Sequence, residues 1–414
     1  VSNILGLFNI FSLIYIFRSL QLLTTMGREW SSVMQEPLTR RKKYFAEQAS
    51  FFIAVPVGVF LHEFGHVLAV WASGGQVIEF GYRVFWGYVI PQGTFTPAQN
   101  WFISLAGTLG SLAFGVGLWL LLKRNRHSTL SYFGLRAFRF QVYFSTIYYP
   151  VFTLLGFEGD WRSIYDFGAT PLLSGLLVPF HVGLVLLFWW GDRTGWFERI
   201  SHETMAEQDK FLGLVQAVAL NPQDTQLQLQ VVDALRYGGA DHRAKTQLKS
   251  FLKQNPDSGA AYLELALLDS GNKPQISRRA ADYLKKALQL GLPTPAGQAY
   301  AHQLLGKYYV DRNRPDEAVN ELNMALNLKV AGEETAVSTT DAASALSTGV
   351  TRHQAALYHL RSQAHRRQNQ YEAAYQDIQQ AITLAQQIDD AQLVAHFQQE
   401  RDVIENHARR KLGV

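Results

Sequence analysis

Residues 49–72 form a largely apolar run that is interrupted on a single turn by three ionisable side chains, His62, Glu63 and His66. A run of about 20 apolar residues is what an α-helix needs to cross the hydrocarbon core of a bilayer. Ionisable groups inside such a helix are costly in lipid and demand a partner. The order His62-Glu63-Phe64-Gly65-His66 puts both histidines one turn apart on one helix face, where two imidazoles can reach one metal ion and Glu63 can handle a water bound there. The chain has no cysteine, which excludes disulfides and thiolate ligands. Any metal therefore rests on His, Asp or Glu.

Four further apolar segments have similar length: 4–23, 101–122, 138–156 and 171–190. With 49–72 they predict a membrane helical bundle of about five spans. Arg18 lies inside the first, so an interfacial amphipathic helix is its alternative reading. Val1 leads directly into Asn3-Ile4-Leu5 without a basic leader, and no small-residue cleavage motif comes after it; a cleaved signal peptide is not expected. Residues 76–91 are rich in β-branched and aromatic residues broken by glycine, a hairpin signal. An isolated two-stranded sheet cannot cross a bilayer with open edges, so the hairpin belongs at the interface or against the helices.

Lys and Arg gather in two loops, at Arg28, Arg40, Arg41, Lys42 and Lys43 and at Lys123, Arg124, Arg126, Arg136 and Arg139, whereas the other two loops hold Arg83 and Arg162. By the positive-inside rule both basic loops and the C-terminal half are expected in the cytoplasm, with the N-terminus outside. The formal net charge of +4 is too modest to indicate nucleic acid, and the basic residues form no nucleic-acid-binding motif.

The mean hydropathy of −0.05 averages two unlike halves. Residues 1–200 are expected to form the polytopic membrane domain and 201–414 a soluble domain of amphipathic helices in pairs. These pairs resemble tetratricopeptide repeats, an α-solenoid in which small and large residues interlock two helices per unit. The resemblance is carried by Leu305, Gly306, Tyr309, Ala318, Leu322 and Ala325, by the second-helix triplets Ala244-Leu248-Phe251, Ala280-Leu284-Ala287 and Ala374-Ile378-Ala381, and by Pro222 and Pro256 after Asn221 and Asn255. Arg361, Ser362 and His365 depart from it, standing where Leu, Gly and Tyr are usual. Residues 331–349 read as a mobile insertion and 390–410 as a capping helix. Stacked repeats leave an extended concave face, which implies a protein partner.

A catalytic zinc takes three protein ligands and keeps one position open. Val67-Leu68-Ala69-Val70-Trp71-Ala72 lacks the Gly and His of the extended H-x-x-G-x-x-H pattern, so the third ligand lies elsewhere. Asp160, at the end of the fourth span, is the better candidate and Glu158 the alternative. His181, in the fifth span, is expected to be packed or hydrogen-bonded rather than a ligand. In this arrangement Glu63 is the general base, taking a proton from a water that the metal acidifies and passing it to the leaving amine.

The motif His62-Glu63-Phe64-Gly65-His66 in a membrane helix, the β-like segment after it, the small-residue stretch Ala106-Gly107-Thr108-Leu109-Gly110-Ser111 and an Asp two spans later together resemble the site-two protease family of intramembrane zinc metalloproteases. The resemblance implies that His62, His66 and Asp160 hold zinc, that Glu63 is the catalytic base, and that the β-like element guides an unwound membrane-protein substrate as an added strand. The family's Asp usually comes after an Asn-x-x-Pro pattern and precedes Gly, whereas Asp160 stands between Gly159 and Trp161. The function expected is an intramembrane zinc-dependent endopeptidase whose repeats recruit or regulate substrate. The alternative is a catalytically inactive metal-binding membrane scaffold acting through its repeats. A transporter would need more ionisable groups within the spans.

Overall fold

The computed structural model describes residues 2–271, 273–328 and 341–412. They fall into two compact units, Val1–Asn221 with Ala234–Arg243 and Pro222–Asp233 with Ala244–Val414.

The first unit begins with α1 (Ser2–Arg28) and the short α2 (Trp30–Met34). Thr39 caps α3 (Arg40–Phe52) by accepting the Lys42 amide, and Ile53 alone separates it from α4 (Ala54–Ala72). The hairpin comes next, β1 (Gln76–Tyr82) and β2 (Gly87–Gln92), paired antiparallel from Gln76 opposite Gln92 to Tyr82 opposite Gly87, with Ile78 as an extra residue on β1. Thr96 and Gln99 form a reciprocal capping box at the start of α5 (Pro97–Leu122), with Pro97 in the first turn where its missing N–H costs nothing. Then come α6 (Ser128–Tyr143), a π-helical turn (Phe144–Tyr148), α7 (Tyr149–Leu154), the four-residue α8 (Trp161–Ile164), α9 (Pro171–Thr194) and α10 (Met205–Leu220). Gly195, at φ 85°, ends α9 in the left-handed conformation that glycine tolerates.

Among the described residues, three helical stretches are long and apolar enough to cross a membrane: Arg40–Ala72, which is α3 and α4 taken together, Pro97–Leu122 and Pro171–Thr194. On α9, Leu172, Leu176 and Phe180 point outward, as lipid-facing residues do. The expected span 138–156 is not one regular helix. Pro150 cannot donate to the carbonyl four residues earlier, and the ladder widens to a π turn just before it. The expected first span lies within α1.

The chain continues with α11 (Thr225–Tyr237), α12 (Asp241–Gln254), α13 (Gly259–Ser270), α14 (Arg278–Leu290), α15 (Pro295–Asp311), α16 (Pro315–Asn327), α17 (Asp341–Arg367), α18 (Tyr371–Gln387) and α19 (Ala391–Leu412). In the second unit α13 packs on α14, α15 on α16, α17 on α18 and α18 on α19, and successive pairs touch through α14 with α15 and α16 with α17. Every residue of the four predicted triplets, at 244/248/251, 280/284/287, 318/322/325 and 374/378/381, is buried. Apolar burial at positions i, i+4 and i+7 is what turns an amphipathic helix into half of a packed pair. Of the expected insertion, residues 331–340 lie outside the described residues, while 341–349 form the first turns of α17 rather than a loop.

Candidate metal centre

The site is built where α4 and α5 approach closely enough for backbone to touch backbone. A Cβ on Gly65 would strike the Ala106 carbonyl, and one on Gly110 would strike the Leu61 carbonyl. A Cβ on Gly107 would meet Nε2 of both His62 and His66, so the small-residue stretch leaves a hollow in front of the two imidazoles. Packing through small residues is the usual way apolar helices associate in lipid.

His62 and His66 sit on one face of α4 with ring centroids 4.8 Å apart. The Ile103 carbonyl lies 2.7 Å from His66 Nδ1, which leaves Nε2 facing the hollow. Asp160, just before α8, brings Oδ2 to 2.9 Å from His62 Nε2 and 3.2 Å from His66 Nε2. One donor atom from each of His62, His66 and Asp160 lies within 4.8 Å of the others. Two imidazole nitrogens and a carboxylate oxygen are a donor set that suits zinc, and a backbone carbonyl on the far nitrogen of His66 is a frequent companion of such ligands. With the hollow that Gly107 leaves open, the residues present fit that ion.

Glu63 is buried at 6% exposure. Gly87, the first residue of β2, fits because it has no side chain to collide with the Glu63 carboxyl. The hairpin turn is fixed above α4 by Ser12 Oγ donating to the Arg83 carbonyl at 2.9 Å and Tyr82 OH donating to the Pro56 carbonyl at 3.0 Å. Within that turn Val84 adopts φ 65°, a conformation costly for a β-branched residue and one that gathers at functional sites.

Two cavities meet at Glu63. One, of about 350 Å³, is mostly apolar and includes Val59, Phe85, Phe144, Phe152 and Phe157. The other, of about 680 Å³, is more polar and includes Asn100, Ser104, Asp160, Ser163 and Asp166. Glu63, Trp86, Gly87, Tyr149 and Glu158 border both. Trp86 borders both spaces, and its indole N–H is buried without a hydrogen-bond partner.

The predicted residues His62, Glu63, His66 and Asp160 thus come together, whereas Glu158 stays exposed at the cavity rim. His181 stands apart from the imidazole pair: its Nε2 donates to the Thr146 carbonyl at 2.7 Å, its Nδ1 pairs with the Tyr165 hydroxyl, and Trp161 stacks on its ring at 4.5 Å. Sequence reasoning missed Gly87, Trp86 and Tyr149. A glycine ending a hairpin turn and an aromatic beside Pro150 were the available signals, and neither names a target in the sequence alone.

No curated protein matches the chain. Residues 52–209, which include every residue of this centre, match the family model described as Peptidase M50B-like, and that match supports the resemblance to the site-two protease family of metallopeptidases.

Proposed function

We propose that this chain is a multi-pass intramembrane zinc endopeptidase that cuts apolar, membrane-embedded segments. The convergence of His62, His66 and Asp160 on one point beside a buried Glu63 carries the reading, and the peptidase family match supports it. A zinc ion held by those three residues would polarise a peptide carbonyl and acidify water at the site. Glu63, shielded by Gly87 and the hairpin, accepts a proton from the attacking water and returns it to the departing amine. The apolar cavity receives substrate from the lipid side, and the polar one gives water a route to Glu63. The hairpin turn excludes bulk solvent from Glu63. We read the paired helices of the second unit as tetratricopeptide repeats on the cytoplasmic side that recruit substrate or a regulatory protein partner.

The test is zinc content together with cleavage of a model single-span substrate by the purified full chain in lipid. Glu63→Gln is expected to keep zinc and lose activity by about 100-fold or more, and Asp160→Ala to lose both. Zinc binding by the native chain with no cleavage of any single-span substrate would instead favour a metal-bearing scaffold.

A further inference from the structure

Asp160 ends an irregular segment entered through Gly156 at φ 103° and caps α8, its carbonyl accepting the Ile164 N–H at 2.9 Å, but its side chain makes no capping bond to that helix, so the helix alone does not aim the carboxylate. The aim comes from Tyr149. Its hydroxyl donates to Asp160 Oδ2 at 2.9 Å and accepts the Asp160 backbone N–H at 3.1 Å, gripping both the side chain and the peptide of one residue. Gly159 makes the grip possible, because a Cβ there would press on the Tyr149 ring and hydroxyl and on Thr153 Oγ1. The same ring stands edge-on to His62, with centroids 5.4 Å apart and planes at 78°.

Tyr149 reaches this position through an irregularity in its helix. The π turn Phe144–Tyr148 adds a residue to the turn just before it and rotates α7 by about 100° relative to the continuation of a regular α-helix. Pro150 has no N–H to give the Thr146 carbonyl four residues earlier, and His181 Nε2 donates to that carbonyl from α9 at 2.7 Å. The His181 ring also carries Trp161, the neighbour of Asp160. One histidine therefore braces both the segment that presents Tyr149 and the segment that presents Asp160.

We infer that Tyr149 is the positioning residue of the metal centre, holding Asp160 in place as a ligand and orienting His62 beside it. The inference rests on the zinc reading given above. A hydrogen-bond partner that orients a ligand is typically worth about 10- to 100-fold in metal affinity.

The experiment measures zinc affinity of the full chain in detergent by competition with a chromophoric chelator, and the visible absorption of bound cobalt(II), for the native protein, Glu63→Gln and Tyr149→Phe. Phenylalanine keeps the ring against His62 and removes the hydroxyl alone. Tyr149→Phe is expected to bind zinc about 10- to 100-fold more weakly and to change the cobalt spectrum, while its metal-free melting temperature falls by no more than the loss of two hydrogen bonds explains. Native-like affinity and spectrum in Tyr149→Phe, with zinc bound by the native chain and Glu63→Gln, would overturn the inference and leave the zinc reading standing. A fall in affinity matched by a metal-free melting temperature lowered beyond that amount and an unchanged cobalt spectrum would also overturn it, since the tyrosine would then be serving the fold. Absence of zinc binding by the native chain would overturn both.

Discussion

Helices α4 and α5 and helices α15 and α16 each close around glycine, but the glycines face different things. In the apolar unit, Gly65 and Gly110 make room for the carbonyls of Ala106 and Leu61, so backbone lies on backbone. In the second unit Gly306 makes room for the Leu322 side chain, which is fully buried. The solvent accounts for the contrast. Lipid tails are as apolar as leucine, so sinking a leucine between two membrane helices gains little, and close approach with dense packing is what remains. In water a buried leucine contributes about 1.5–3 kcal/mol. The close approach of α4 and α5 also has a chemical consequence, because it sets Gly107 against both imidazoles.

The sharpest way to break this comparison is Gly107→Ala. The added methyl falls on Nε2 of His62 and of His66, and neither ring can retreat far, since His66 is tied to the Ile103 carbonyl at 2.7 Å. Zinc affinity is expected to fall by about 1000-fold, roughly 4 kcal/mol, read as metal retained after dialysis against a chelator. Native metal content in this variant would mean that α4 and α5 can part without disturbing the centre.

Next in size is a third way of closing a helix pair. Where α15 has Leu305, Gly306 and Tyr309, α17 has Arg361, Ser362 and His365. Arg361 makes two parallel bonds to Asp377 of α18, Nε to Oδ2 at 2.8 Å and Nη2 to Oδ1 at 2.6 Å, and a third to Asn323 at 2.6 Å. Arg361→Leu strips the buried Asp377 carboxylate of both its hydrogen bonds from the guanidinium and leaves it only the His365 imidazole, Nε2 to Oδ2 at 3.8 Å, and about 3 kcal/mol of stability is expected to be lost. The double change Arg361→Leu with Asp377→Leu is expected to recover most of it. A double variant as unstable as the single one would show that the pair does more than replace an apolar contact. All nine tryptophans precede residue 200, so far-UV circular dichroism without a change in tryptophan emission isolates the second unit.

These residues show where the sequence was informative. The histidine pair was legible because three ionisable groups on one apolar turn have few explanations, and the helix triplets because periodicity survives when apolar residues must be buried from water. Asp160 reads as the better candidate with Glu158 still open, because two acids in one irregular segment cannot be told apart by periodicity; the structure brings Asp160 to both imidazoles and leaves Glu158 exposed. Tyr149 was hidden for a related reason. Counting 3.6 residues per turn across Phe144–Tyr148 carries an α phase through a π turn and turns the residues after it to the wrong side. The departure at Arg361, Ser362 and His365 was visible, but its partner Asp377 was not, because a helix pair's cross-contacts depend on the register between helices.

A smaller effect separates the two solvents by pH. Burial pushes the His359 imidazole of α17 down to about 4 from 6.5, and His396 and Arg366 add repulsion to the charged form. The ring packs against Phe397 at 4.8 Å. The folded state resists a proton that the unfolded chain accepts, so this contribution is complete above about pH 6.5 and is lost as pH falls from there toward 4. The loss is at most about 3 kcal/mol. Denaturation monitored by circular dichroism is expected to show the second unit weakening between pH 7 and pH 5. His359→Phe should flatten that dependence, and an unchanged slope would assign the acid sensitivity to other groups.

The smallest predicted effect is the most direct comparison of the two glycine contacts. Replacing glycine by alanine inside a helix gains up to about 1 kcal/mol of intrinsic preference, and the gain applies equally to Gly65 and Gly306. What differs is the neighbour. At Gly306 the new Cβ meets Cγ and both Cδ atoms of Leu322, a side chain packed with Ala325 and Leu357 that can shift within its well at about 1–3 kcal/mol. Gly306→Ala is therefore expected to cost about 1 kcal/mol net, and combining it with Leu322→Val should recover part of that cost by removing one of the opposing carbons. At Gly65 the new Cβ meets a carbonyl fixed in a helix ladder, and the only escape is for the whole of α5 to move. Gly65→Ala should accordingly lose more stability than Gly306→Ala, and no single side-chain truncation on α5 should restore it. Equal costs at the two positions, measured in the same detergent, would mean that the backbone-to-backbone approach of α4 and α5 is no tighter than an ordinary leucine contact. The hollow that holds the imidazoles would then owe its shape to Gly107 alone.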